Sequence, residues 1–226
     1  MSKIRTLTTV SGDISYLLFD LDETLYPSTS GMVAEISRRM TRYVSRLLDL
    51  DEESAARLRR DLSQKHGTTL TGLMSEHNFK DPENYLEYAH PVDVEHFLHK
   101  DPELVAALAA IQLPKSILTN APAEHARRIL AYLEIGRFFE RIFDIRMSGF
   151  RGKPEKGVYL RVLEELKREA PEVLFIDNRL DYLLGFREIG GRVVWVADRS
   201  AEGEAADHGL SRISHVKELP EFLQRL

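Results

Sequence analysis

Two carboxylates two residues apart, Asp20 and Asp22, with the Thr24 hydroxyl two further on, follow directly on the apolar run Tyr16-Leu17-Leu18-Phe19. Neighbours on an extended chain point to opposite sides, so Asp20 and Asp22 share one side at the point where the run leaves the interior. Thr119-Asn120 and Asp177-Asn178 each end another short apolar run, and Lys153 stands just before Pro154. Two carboxylates about 4 Å apart repel by roughly 4 kcal/mol at an effective dielectric of 20, so Asp20 and Asp177 in one cleft call for a cation or shifted pKa values. Mg²⁺ suits them, because it takes hard oxygen ligands, keeps several waters, and binds through one or two carboxylates plus substrate phosphate oxygens. Lys153 would then balance the remaining charge of a bound phosphate. The chain has no cysteine, which removes thiolate catalysis, disulfides and Cys-ligated zinc together.

The elements that must position these groups alternate. Short apolar runs at 16–19, 115–118, 142–145, 173–176 and 192–196 read as strands. Helical patterns fall at 102–111, 123–133, 154–168, 180–189 and 217–226, the first opened by Asp101 as N-cap with Pro102 at the first helical position. Strands alternating with helices of this length specify an α/β fold with a doubly wound parallel sheet, a Rossmann-like core. All its strands point the same way, so Asp20, Thr119 and Asp177 converge on the carboxyl edge, where such sheets bind ligands. Residues 28–99 carry no convincing strand. Met32, Val33, Ile36, Met40, Val44, Leu47 and Leu48 recur at helical steps, and Asp51 reads as the N-cap of a second helix that stops near Gly67. The expected division is therefore a catalytic core, residues 1–27 and 100–226, interrupted by an all-helical insert over residues 28–99. The run Arg57, Arg59, Arg60 reads as a solvated helix face, His96 and His99 as an exposed one, and Trp195 as core packing.

Taken in order, Asp20-Leu21-Asp22-Glu23-Thr24, then Thr119-Asn120, then Lys153-Pro154, then Asp177 with Asp181 four residues on, the motifs resemble those of the haloacid dehalogenase superfamily of phosphohydrolases. The position of the insert resembles that of a superfamily helical cap. The segments Leu25-Tyr26-Pro27, Gly67-Thr68-Thr69-Leu70-Thr71-Gly72-Leu73 and Thr119-Asn120-Ala121-Pro122-Ala123-Glu124-His125-Ala126 are similar to the pyrimidine 5′-nucleotidase branch. The resemblance implies that Asp20 attacks phosphorus, that Asp22 serves as general acid and base, and that Thr119, Asn120 and Lys153 hold the phosphoryl oxygens. It implies Mg²⁺ bound by the side chains of Asp20 and Asp177 and the main-chain carbonyl of Asp22, with Asp181 orienting Lys153 or a metal-bound water. Asn178 stands where many relatives carry a second acid, which weakens any metal contact there. Two connections, near 26–30 and 90–100, would let the cap hinge over its substrate, with the turn Gly67-Thr68-Thr69 and Tyr85, Tyr88 and His90 facing a base. No role is assigned to His66 or His125.

The reading that follows is a phosphomonoester hydrolase acting on a nucleoside monophosphate. Its rivals are a phosphatase of a sugar phosphate or phosphoglycolate, a 2-haloacid dehalogenase, and a non-catalytic binding protein on the same fold. Asp22 speaks against the dehalogenase, since those enzymes lack the second acid, and the helical insert speaks against a receiver-like phospho-acceptor. A net charge of −5 argues against nucleic acid as partner, and no segment approaches the roughly 20 apolar residues needed to span a membrane. The stretch 1–12 has no sustained apolar core of the kind a secretory signal needs, so a soluble, cytoplasmic protein is expected.

Overall fold

The computed structural model describes residues 14–197 and 208–226. The N-terminal stretch read above as lacking a secretory signal lies outside the described residues. No helix among those described is long and apolar enough to cross a membrane.

Six strands form one parallel sheet: β1 (Tyr16–Phe19), β2 (Lys115–Leu118), β3 (Ile142–Phe143), β4 (Val173–Asp177), β5 (Arg192–Val196) and β6 (Ser211–Ile213), in the order β3-β2-β1-β4-β5-β6. β1 lies in the middle, pairing Leu18 with Ser116 of β2 on one side and with Phe175 of β4 on the other. That position explains its unbroken apolar sequence, since a central parallel strand is covered on both faces. Leu17 and Phe19 point into one hydrophobic cluster, whereas Tyr16 and Leu18 point into a second. The chain leaves β1 toward β2 and β3, then returns across it to β4, and such a reversal of strand order opens a crevice at the carboxyl ends.

Four helices, α1 (Met32–Leu48), α2 (Glu52–His66), α3 (Thr69–Glu76) and α4 (Pro82–Ala89), follow β1 in the chain. They share a third hydrophobic cluster built on Val44, Leu62, Leu70, Leu73, Tyr85 and Leu86. Asp51 caps α2 as its sequence suggests, accepting from the Ser54 N–H at 2.9 Å. Gly72 lets α3 close on α2, because a Cβ there would stand 2.6 Å from the Cβ of Leu62. The helices are tied to the loop before Lys153 by the Thr71 hydroxyl donating to the Phe150 carbonyl at 2.9 Å, and to Arg146 by Glu83 at 2.6 Å.

The rest of the chain supplies the layers of the sheet: α5 (Pro102–Ala110), α6 (Ala123–Tyr132), α7 (Lys156–Leu166), α8 (Leu180–Glu188) and α9 (Leu219–Leu223). α5, α6 and α9 contribute to the first cluster and α7 and α8 to the second. Two expectations are corrected, and one strand was not expected. The strand expected over 142–145 stops at Phe143, because the Asp144 side chain accepts from the Arg146 N–H at 3.1 Å and turns the chain into a 3₁₀ helix, Ile145–Ser148. The helix expected from 154 starts at Lys156, beyond the cis Lys153–Pro154 bond. β6, with only Ile213 buried, has too little apolar pattern to be read from sequence.

Candidate active site

The carboxyl ends of β1 and β4 put two buried carboxylates on either side of one ammonium. Lys153 Nζ donates to Asp20 Oδ1 at 2.6 Å and to Asp177 Oδ2 at 2.8 Å, and both Lys153 and Asp177 are fully buried. Each carboxylate has a second donor: the Thr24 hydroxyl reaches Asp20 Oδ2 at 3.0 Å, and the Arg179 N–H reaches Asp177 Oδ1 at 2.8 Å. Burial disfavours the Lys153 charge, yet Asp177 and Asp20 outweigh it and raise its pKa, so the ammonium is retained. The carboxylates fare less well. Burial raises the pKa of Asp20 with help from Asp22, and raises that of Asp177 with help from Asp20, in each case against the pull of Lys153. Two buried acids share one cation.

That deficit bears on the metal. Asp20 and Asp177 offer hard oxygen donors in a setting short of positive charge, which fits a divalent hard cation. Among the described residues no group of three or more His, Cys, Asp or Glu side chains could hold a metal ion. The protein's share would thus be two carboxylates and a main-chain carbonyl, leaving further positions to water and substrate, as Mg²⁺ accepts.

Asp22, two residues from Asp20, sits in a different environment. The loop that carries it turns on Leu21, whose carbonyl accepts from the Leu25 N–H at 3.0 Å, with Glu23 at φ +59°. The Tyr26 hydroxyl donates to Asp22 Oδ1 at 2.5 Å, and His125 Nε2 lies 3.0 Å from the same oxygen. Oδ2 is left without either clamp. Burial pushes the Asp22 carboxyl up, but the His125 charge, its hydrogen bond and that of Tyr26 bring the net pKa below the ordinary value. His125 is fully buried in the first turn of α6, and its ring packs against that of His90 at 4.8 Å between centroids, tilted by 54°. Neither Tyr26 nor His125 was assigned this contact from sequence. The signal was faint but present: Tyr26 lies four residues after Asp22, and His125 lies in the first turn of the helix that follows Thr119.

The phosphate-holding candidates close the third side. Asn120 Oδ1 accepts from the Lys153 N–H at 2.8 Å, and its amide nitrogen donates to the Lys153 carbonyl and the Tyr182 hydroxyl, each at 3.1 Å. This side chain fixes the loop that delivers Lys153. Gly152 is required there, since a Cβ would meet Thr68 at 2.5 Å and Asn120 at 2.8 Å. The Thr119 hydroxyl accepts from the Ala121 N–H at 3.0 Å. Asn178 is engaged with Thr24, its N–H donating to the hydroxyl at 3.1 Å and its Oδ1 accepting from it at 3.3 Å, while the indole of the buried Trp195 donates to its carbonyl at 2.8 Å.

A cavity of about 380 Å³ opens over these groups, lined by Asp20, Asp22, Thr119, Asn120 and Asn178 below and by Arg59, Thr68 and Tyr85 of the helices above. It lies in the size range of small-ligand sites. A wider cleft of about 720 Å³ adjoins it through Ser63, Gly67 and Arg179. Three sequence expectations change. Asp181 does not reach Lys153; it pairs with Arg179 at 2.7 Å on the wider cleft, because its place in the first turn of α8 points it outward. Tyr88 lies off the cavity, packed on Tyr43 with Arg46 over its ring, while Tyr85, three residues earlier on α4, faces in. Arg59 is no solvated side chain: its Nη1 donates to the Ser37 carbonyl at 2.5 Å and the Thr41 hydroxyl at 2.6 Å, both on α1.

Residues 14–190 match the family described as haloacid dehalogenase-like hydrolase. Among solved structures, the L-2-haloacid dehalogenase of Xanthobacter autotrophicus superposes with a TM-score of 0.58 at 16% identity, covering 94% of this chain and 99% of that one. A phosphatase of the same superfamily from Thermococcus onnurineus gives 0.61 at 18% identity over 93% and 98% of the two chains. A magnesium-bound hydrolase of Bacillus subtilis gives 0.58 at 17% identity over 93% and 98%. At these identities the likeness is one of fold.

Proposed function

The chain belongs to the haloacid dehalogenase-like hydrolase family, and we propose that within it the protein is a Mg²⁺-dependent phosphomonoester hydrolase acting on pyrimidine nucleoside 5′-monophosphates. The observation that carries the choice of phosphorus over a carbon–halogen centre is Asp22. Its Oδ1 is clamped by Tyr26 and His125, which leaves Oδ2 as the atom able to exchange a proton with the leaving group or water. A halide leaves without a proton, whereas an alkoxide needs one.

The Asp20 carboxylate attacks phosphorus and the phosphorus–oxygen bond to the leaving group breaks; Asp22, ionised in the free enzyme, takes up a proton when the negatively charged phosphoryl group binds beside it and gives that proton to the alkoxide. Water then attacks the aspartyl-phosphate, Asp22 takes the proton back, and phosphate departs with Asp20 restored. Lys153 holds Asp20 in place and offers its charge to the transferring group, with Thr119 and Asn120 flanking it. Asp20, Asp177 and the Asp22 carbonyl would hold Mg²⁺, which supplies charge neutralisation for the phosphoryl oxygens when bound. The four helices over residues 28–99 act as a cap, with Thr68 at its edge against the Lys153 loop. The pyrimidine assignment rests on the resemblance of the segments around Tyr26, Thr68 and Thr119, and the rival substrates are tested with it.

Phosphate release from uridine and cytidine monophosphates, purine monophosphates, sugar phosphates and phosphoglycolate, with Mg²⁺ and after exhaustive chelation, tests the reading. The highest kcat/KM should fall on a pyrimidine nucleotide and vanish on chelation. Undiminished activity without metal, or chloride release from a 2-chloroacid, would transfer the protein to the dehalogenases.

A further inference from the structure

One arginine carries contacts from both sides of the seam between the helices over residues 28–99 and the sheet. Arg146, in the 3₁₀ turn after β3, donates through Nε to Glu83 Oε1 at 2.8 Å and through Nη2 to Glu83 Oε2 at 2.6 Å, a two-pronged pair with the first turn of α4. Its Nη1 donates to Asp144 Oδ2 at 2.8 Å and to Glu124 Oε2 at 2.9 Å, both on the sheet side. Asp144 Oδ2 also accepts from the Ala123 N–H at 3.0 Å, and so holds the start of α6, whose first turn carries His125. His125 Nε2 in turn lies 3.0 Å from Asp22 Oδ1. The far end of α4 touches the same place, since His90, the residue after that helix, packs against the His125 ring. Ile145, beside Arg146, is 3% exposed and is buried in the cluster of the helices, not in those of the sheet. A lone exposed ion pair adds little to stability, but a bidentate guanidinium–carboxylate pair joined to further charges is the geometry in which such contacts hold a position.

We propose that Arg146 is a positioning residue: it holds the cap closed on the core and, through the same contacts, seats the start of α6 so that His125 stays on Asp22. The catalytic half of the proposal rests on the phosphomonoesterase reading, and the closure half stands on the seam alone. The balance of charge gives the reason. One guanidinium stands among three carboxylates, of which Glu83 belongs to the cap and Asp144 and Glu124 to the core. With Arg146 in place the three acids are drawn to a common centre across the seam. Without it the acid of the cap faces two like charges, and their repulsion pushes α4 away. Glu124 has Arg127 as a second cation at 4.0 Å and Asp144 has the Ala123 N–H, whereas the ion pair of Glu83 is with Arg146. Because α4 meets the start of α6 at Glu83 and again at His90, a movement of α4 releases both holds on the turn that carries His125.

The chain has no cysteine, so Glu87→Cys on the exposed face of α4 and Arg161→Cys on the exposed face of α7 give a single pair of spin-labelling sites across the seam. Pulsed electron paramagnetic resonance on the otherwise unaltered protein should give one narrow distance. Arg146→Met should add a longer and broader population. Glu83→Gln, which leaves Asp144 and α6 untouched, should add a smaller one, and the double variant should fall back to the level of Glu83→Gln because the repulsion is gone. The catalytic half is read on the cysteine-free variants with Mg²⁺. Arg146→Met should lower kcat about tenfold on uridine 5′-monophosphate, whose leaving group needs the Asp22 proton, and little on dinitrophenyl phosphate, whose leaving group does not. An unmoved distance in Arg146→Met would overturn the closure; where that variant does not fold, an unmoved distance in Glu83→Gln does so. Equal losses of kcat on the two esters would overturn the hold on Asp22. Hydrolysis of neither ester by the unaltered protein would remove the phosphatase reading instead, and the distances would still decide whether Arg146 closes the cap.

Discussion

Lys153 beneath the cavity and Arg59 above it are both cations drawn away from water, and they differ in what answers their charge. Lys153 lies within 2.8 Å of two carboxylates, each held in turn by a second donor. Arg59 meets only a carbonyl, hydroxyls and a sulfur. The strand-end floor thus pairs charge with charge, while the helical roof holds its cation with neutral groups. On the proposed reading, the floor would act on a phosphoryl group and the roof would discriminate what is attached to it.

The sharpest break in that comparison comes from the floor. Asp20→Asn should abolish turnover on every phosphate ester without unfolding the protein, because a carboxamide of nearly the same shape is a poor nucleophile, and thermal melting alongside the assay checks both halves. Lys153→Met should cost about 3 kcal/mol of stability in urea unfolding at neutral pH, since it leaves Asp20 and Asp177 buried without their shared partner. Arg59→Met, by contrast, removes hydrogen bonds but strands no carboxylate, and about 1 kcal/mol is expected. Similar losses in the two variants would erase the distinction drawn between floor and roof.

Smaller effects arise at the seam. His125→Ala frees one clamp on Asp22 and should lower kcat about tenfold to a hundredfold on alkyl phosphates, where the leaving group needs a proton, and far less on a dinitrophenyl ester, where it does not. His90 packs against His125, and burial, aided by the His125 charge, lowers its pKa from 6.5 to about 4. Between those values the unfolded chain binds a proton that the native protein refuses, so this contribution to stability is complete above about pH 6.5 and is lost as pH falls toward 4. His90→Asn should therefore flatten the acid limb of the melting temperature over that window, and an unchanged slope would remove His90 from the account.

The floor was legible and the roof was not, for a physical reason. A parallel strand delivers whatever follows its last apolar residue to one shared edge, so Asp20, Thr119 and Asp177 could be brought together from three apolar runs. Lys153 was read as the counter-charge of a bound phosphate, and the structure then supplied its partners. A helix instead spreads its residues around an axis, and which of them face the cavity depends on packing that the sequence does not state. Arg59 and Tyr88 were misjudged on that account: Arg59 sits among exposed arginines yet turns toward α1, and Tyr88 is a third of the way along α4 from Tyr85 and points at Tyr43. Asp181 shows the same effect, since its spacing from Asp177 fits the motif while Arg179 claims its carboxylate. The contact of His125 with Asp22 joins residues 103 positions apart and follows from no local pattern.

The central claim is that Asp20 carries the phosphoryl group during turnover. Acid quenching of the enzyme during hydrolysis of a ³²P-labelled uridine monophosphate in Mg²⁺, followed by peptide mapping, measures it directly. The account predicts label on the peptide containing Asp20, lost on chase with unlabelled substrate and absent in Asp20→Asn. Rapid phosphate release with no protein-bound label, undiminished in Asp20→Asn, would contradict it.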